Sequence, residues 1–118
     1  MNVFGWGSRN LKVESMSAGC KMGDGYIQCT VSEVSDNGMT CIFPTSRFKD
    51  SMMDVLHKPV SVSIDNTLIE GTLSWYTLEE STYQIGITIA RKDRSAWRKV
   101  LACRCRGVMH TSTRPASV

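Results

Sequence analysis

Alternation with a period of two runs through most of this chain and constrains its fold more than any other feature. Ile27, Cys29 and Val31 alternate with Gln28, Thr30 and Ser32, which gives a strand one apolar and one polar face. Met39, Cys41 and Phe43 continue the pattern beyond Asp36-Asn37-Gly38. Asn37-Gly38 offers two residues that tolerate positive φ, as a two-residue hairpin turn requires, with Gly38 the simplest source of it. Val60, Val62 and Ile64 alternate with Ser61 and Ser63, and Asp65-Asn66 turns the chain into Ile69, Gly71, Leu73 and Trp75. Tyr83, Ile85, Ile87 and Ile89 form another strand, reached through the polar stretch from Leu78 to Thr82. A weaker strand runs from Leu11 to Met16, with Leu11 and Val13 on one face. About six short strands joined by turns predict an antiparallel barrel or sandwich. On this pattern Phe43, Trp75 and Tyr83 point inward.

Two segments break the alternation. Between Pro44 and Pro59, the residues Phe48, Met52, Val55 and Leu56 fall at helical spacing, which fits a short helix or an ordered loop. Near the C-terminus, Asp93 is placed to cap a helix whose apolar stripe is Ala96, Trp97, Val100 and Leu101. Arg94, Arg98 and Lys99 lie towards its polar side, and Gly107 stands just beyond its expected end. This helix would dock Trp97 against the sheet or over an open barrel end. The reading is a single domain over 1–118, with a barrel at about 9–90, a helix at about 93–105 and a disordered tail at about 108–118.

With 118 residues and 42% apolar content, the chain can bury a core without staples. No apolar run approaches the roughly 20 residues of a membrane span, and Met-Asn-Val-Phe-Gly-Trp-Gly is not a secretory signal. A cytoplasmic protein is expected. Its five cysteines, Cys20, Cys29, Cys41, Cys103 and Cys105, are odd in number and read as free, reduced and mostly buried. No pair has metal-ligand spacing, and His57 and His110 supply no second pair. Residues 1–90 carry six basic and ten acidic side chains, whereas 91–118 carry eight basic and one acidic. The basic end would suit phosphates, an acidic partner or nucleic acid, or it is simply solvated.

Several function classes find little support. No histidine sits in a nucleophile constellation, and no paired carboxylates mark an apolar pocket. Gly19-Cys-Lys-Met-Gly23-Asp-Gly25 lacks the strand–loop–helix setting of a phosphate loop. No enzymatic activity is expected. Single-strand nucleic-acid binding would need exposed aromatics among basic residues, so it ranks behind the readings below.

The order of elements, with Glu33-Val34-Ser35-Asp36-Asn37-Gly38 at the first firm hairpin, resembles the PilZ domain family. Glu70-Gly71-Thr72-Leu73-Ser74-Trp75 and Tyr83-Gln84-Ile85-Gly86-Ile87 resemble its last two strands. The resemblance spans about residues 9 to 105. It implies a mainly β fold, a six-stranded antiparallel barrel with a C-terminal α-helix. It also implies the bacterial second messenger cyclic di-GMP as ligand, bound without any cofactor. Ser35 and Gly38 match the family's D/N-x-S-x-x-G stretch, while Glu33 stands where Asp or Asn is expected. The family's R-x-x-x-R is missing ahead of the barrel, where Arg9 is followed four residues later by Val13. An arginine fork grips a guanine edge or a phosphate with two hydrogen bonds, and each such contact is worth about 1–3 kcal/mol. Arg94-Ser95-Ala96-Trp97-Arg98 repeats that spacing on the helix instead.

The resemblance therefore implies a ligand site at Arg9, Glu33, Ser35, Asn37 and Gly38. A basic face of Arg94, Arg98, Arg104 and Arg106 would meet a partner. Two roles are open: a cyclic di-GMP receptor, or a degenerate relative, that regulates a partner protein; or a nucleotide-independent adaptor in pilus, flagellar or biofilm control.

Overall fold

The period-two segments fold as strands. The structure, a computed structural model, describes residues 11–23 and 25–103, with side chains from Met16 onward. The strands are β1 (Leu11–Met22), β2 (Gly25–Ser35), β3 (Gly38–Pro44), β4 (Pro59–Ile64), β5 (Thr67–Glu79) and β6 (Thr82–Ile89). They close a barrel in the order β1-β2-β3-β6-β5-β4. Every neighbouring pair is antiparallel, and β1 meets β4 through Gly19↔Ser63 and Met22↔Val60. Closure leaves no free sheet edge along the paired strands, which removes a template for aggregation.

Alternation fills the interior. Ile27, Cys29 and Val31, then Met39, Cys41 and Phe43, then Val60, Val62 and Ile64, then Ile85, Ile87 and Ile89 are all buried. β1 extends six residues past the expected Leu11–Met16 because Met16, Ala18, Cys20 and Met22 also alternate inward. Small and sulfur-bearing residues made that stretch look weak, yet the curved interior accepts them. β5 likewise runs to Glu79, so Leu78 belongs to a strand rather than to the connection.

The turns differ in mechanism. Asp65 and Asn66 adopt φ of 51° and 62°, the left-handed pair that matches strand twist in a two-residue hairpin. The β2–β3 turn does not. Its central residues are Asp36 and Asn37, with Ser35 opposite Gly38. Neither Asn37 nor Gly38 is among the described residues with positive φ, which corrects the left-handed reading of that dipeptide. Gly38 instead lies buried between β2 and β6, paired with Ser35 and Thr88.

In the β5–β6 turn Glu80 sits at φ 54°, a conformation that strains a residue with a Cβ. Glu80→Gly is therefore expected to raise stability by about 0.5–1 kcal/mol. Urea denaturation checks this; a loss would mean that the Glu80 side chain contributes more than the strain costs.

Both barrel ends are covered. Beyond Pro44, Phe48, Met52 and Val55 are buried, with a single helical turn, α1 (Met52–Val55), on the way to β4. Phe48 and Tyr83 meet edge to face with centroids 6.4 Å apart, and Phe43 lies 5.6 Å from Tyr83. At the opposite end, residues 94–103 form the C-terminal helix α2. Trp97 is 0% exposed there and Val100 is buried beside it. A 3₁₀ turn, Arg91–Asp93, leads into α2, and the Asp93 carboxylate accepts from the Glu70 N–H at 2.8 Å. Asp93 thus ties α2 to β5, where the sequence suggested a cap. None of the described helices is long and apolar enough to cross a membrane.

Candidate functional site

Two places on the barrel gather the residues singled out by sequence: the β2–β3 hairpin with its junction to α2, and the outer face of β2, β3, β6 and β5.

At the junction, Ser35 is 4% exposed, and its hydroxyl donates to Asn37 Oδ1 at 3.2 Å. The Trp97 Nε1–H donates to the Ser35 carbonyl at 2.8 Å, and the Ile89 N–H donates to the Asn37 carbonyl at 2.9 Å. Both residues therefore hold the hairpin against the helix and the end of β6. Arg94 donates from Nε to the Ile89 carbonyl at 3.4 Å, which brings the first arginine of α2 onto the residue paired with Asn37. Arg98 is exposed one turn further on. Arg9, Arg104 and Arg106 lie outside the described residues, as do Trp6, Cys105, His110 and the tail at 108–118.

The outer face is set by two bulges. Val31 and Val34 are both buried although three positions apart, and the β2–β3 register shifts between Val31 and Glu33. The extra residue re-aims Glu33 outward. On β5, Leu73 is buried and Tyr76 packs on the core, again three apart, with a register shift between Leu73 and Trp75. Unbroken alternation would send Trp75 inward, as expected from the sequence. The bulge places it outside instead, opposite Gly86. A Cβ at Gly86 would stand 2.0 Å from Trp75 Nε1 and 2.1 Å from Cε2, so the indole lies directly over that glycine.

The register then aligns a row across four strands: Glu33 on β2 opposite Thr40 on β3, Thr40 opposite Gly86 on β6, and Gly86 opposite Trp75 on β5. Three strand spacings make this row about 14 Å long. Thr40 is only 2% exposed although Met39 and Cys41 beside it fill the interior. The Ser32 hydroxyl donates to the Thr40 carbonyl at 3.4 Å. A carboxylate at one end and a flat indole at the other suit a planar ring with N–H donors at its edge. Thr40, Gly86 and Trp75 were not among the site residues picked from the sequence, although the two segments that resemble the family's last strands contain Trp75 and Gly86; the odd apolar spacings were the signal for the bulges that turn Glu33 and Trp75 outward.

A second concavity opens where β5 meets β6, with a volume of about 510 Å³, lined by Ile42, Thr77, Glu79, Glu80, Thr82 and Gln84. Its two glutamates disfavour an anionic occupant. Among the described residues no group of His, Cys, Asp and Glu is arranged to hold a metal ion.

The barrel matches solved structures. It aligns with K. pneumonia MrkH at a TM-score of 0.66 and 12% identity, over 87% of this chain and 50% of that one. With the MrkH–c-di-GMP complex the TM-score is 0.62 at 14% identity, over 87% and 53%. Borreliella burgdorferi PlzA in complex with c-di-GMP gives 0.52 at 10% identity, over 84% and 52%. The chain is similar in fold to both proteins. It spans about half the length of each. No family model and no curated protein sequence matches it.

Proposed function

We propose that this chain is a PilZ-type signalling domain that regulates a partner protein and takes cyclic di-GMP on the outer face beside the β2–β3 hairpin. The observation that carries the reading is the shared barrel of MrkH and PlzA, both solved with c-di-GMP, combined with Glu33-Val34-Ser35-Asp36-Asn37-Gly38 on its first firm hairpin. In this reading Glu33 accepts from guanine N–H groups, and Ser35, Asn37 and Gly38 set the hairpin that presents it. Arg9 and Arg94 supply charge toward the phosphates, and Arg98, Arg104 and Arg106 extend the basic face toward a partner. The domain works without a cofactor and catalyses no reaction.

Two observations favour a nucleotide-independent adaptor as the second reading. The sequence has no R-x-x-x-R ahead of β1, and the Ser35 hydroxyl is already engaged by Asn37. Calorimetric titration with cyclic di-GMP at low and moderate salt separates the two. The receptor reading expects saturable binding that Glu33→Gln weakens by about tenfold, the loss of one charge-assisted contact. Arg9→Ala and Arg94→Gln should weaken it as well. Absence of heat at high micromolar ligand, with unchanged NMR shifts, would overturn the receptor and leave the adaptor.

A further inference from the structure

The barrel wall formed by β1, β4 and the first half of β5 carries large apolar side chains that face solvent. Tyr26 is 65% exposed and Leu68 63%, while Ile27 and Ile69 beside them point inward. The register joins them across one outer face. Gly19 on β1 lies opposite Ser63 on β4, and Ser63 lies opposite Leu68 on β5. Two residues along, Lys21 lies opposite Ser61, and Ser61 opposite Glu70. Tyr26 on β2 pairs with Lys21, yet its ring leans over Gly19, where its hydroxyl fills the space that a Cβ would need. The outward residues of β4 itself, Pro59, Ser61 and Ser63, are all short.

These residues form a shallow trough about 10 Å across, two strand spacings from β1 to β5. Serines make its floor, and Tyr26 and Leu68 stand on its two sides. One charge of each sign flanks it at equal distance from β4. Lys21 is exposed, and Glu70 is half-buried with its Oε2 accepting from the Ser61 hydroxyl at 3.1 Å. The arrangement is self-complementary. A two-fold axis running along β4, between two copies of this face, sets β1 of each copy against β5 of the other. Lys21 then meets Glu70 of the second copy, and Leu68 meets Gly19 and Tyr26 of the second copy. Each contact occurs twice. The short residues of β4 lie on the axis, so the two sheets can approach to the roughly 10 Å at which sheet faces pack.

We propose that the outer face of β1, β4 and the first half of β5 docks a second copy of this chain. Exposed apolar side chains grouped on one wall mark an interaction surface. The opposite charges placed symmetrically about β4 select a second copy as the occupant, because each finds its complement on the same surface. The face spans about 14 Å across four strands and about 20 Å along β4. That is small beside the roughly 800 Å² per partner of a standard interface, so the dimer dissociates at about micromolar concentration. The Glu33–Trp75 row lies on β2, β3, β6 and the later part of β5, so docking leaves it open in both copies. This inference is independent of whether the domain binds a nucleotide.

Sedimentation velocity of the full chain, followed from micromolar to millimolar concentration at low and moderate salt, tests this. The expected result is a shift from monomer to dimer mass as concentration rises. Lys21→Glu sets acid against acid across the axis, and Glu70→Lys sets base against base. Each variant alone, checked for native circular dichroism, should self-associate at least about tenfold more weakly. Mixing the two should restore a dimer with one copy of each, read by native mass spectrometry with one variant isotopically labelled. A purely structural role for either charge would give no such rescue. Leu68→Ser should weaken the dimer equally at both salt concentrations, as the loss of an apolar contact does. A chain that stays monomeric at millimolar concentration would overturn the proposal. So would a dimer that persists in both charge variants, which would place the contact on another face, or a mixture that stays monomeric.

Discussion

Replacing Trp97 by alanine is expected to cost about 3–5 kcal/mol of stability, the range for deleting a large aromatic from a core. The indole is fully buried at the barrel end and donates to the Ser35 carbonyl at 2.8 Å. Alanine removes the packing of α2 against the barrel and leaves that carbonyl without its donor. Trp97→Phe separates the two contributions. It keeps most of the ring volume but removes the N–H, so the expected loss is about 1–3 kcal/mol, the cost of stranding a buried acceptor. Urea unfolding of both variants gives the comparison. If Trp97→Phe were as damaging as Trp97→Ala, the hydrogen bond rather than the packing of the ring would hold the helix. A loss below about 0.5 kcal/mol for Trp97→Ala would place it in the range of ordinary surface changes, and would mean that α2 does not close the barrel in solution. Because Ser35 and Asn37 brace the same junction, hairpin resonances should move in both variants.

Gly86→Ala carries the second large effect, and its sign runs against the usual rule. In a strand, alanine for glycine ordinarily helps, because glycine loses more conformational freedom on folding. Here the added methyl would stand 2.0 Å from Trp75 Nε1 and 2.7 Å from Cδ1. The indole must swing away from the outer face, at an expected cost of about 1–3 kcal/mol. Tryptophan fluorescence should shift to the red as Trp75 gains water. A double-mutant cycle isolates the cause: in a Trp75→Ala background, Gly86→Ala should be neutral or stabilising, with a coupling of about 1 kcal/mol or more. An equal loss in both backgrounds would assign the effect to the β6 backbone. If the outer row holds the ligand, Gly86→Ala should also weaken cyclic di-GMP binding beyond its effect on stability.

The two outcomes bear on how far the site could be read from the residues. Ser35, Asn37 and Gly38 were recognisable as a hairpin, and the structure places them there. Their engagement with α2 was not visible, because Trp97 meets Ser35 across 62 positions of sequence. Arg94 was read as part of a basic face that would meet a partner; its contact with the Ile89 carbonyl at the end of β6 was not visible in the sequence. Glu33 and Trp75 depended on bulges. A bulge leaves only an odd spacing between apolar residues, here Val31 to Val34 and Leu73 to Tyr76, which local reading cannot tell from an ordinary break in the pattern.

The sequence by itself determined the strands and their inward faces. Period-two burial is a local property, and each inward side chain favours the same pairing whichever strand lies beside it. It also determined that a helix with Trp97 on its apolar stripe follows the last strand. Only the tertiary structure decided which strands are neighbours, where an extra residue turns a side chain to the other face, and what each buried polar group meets. The cysteines show the division most plainly. Cys20, Cys29 and Cys41 were each legible as an inward residue of an alternating segment. Their convergence on one core arises because β1, β2 and β3 curve together in a closed barrel, and curvature is a property of the whole sheet rather than of any one strand.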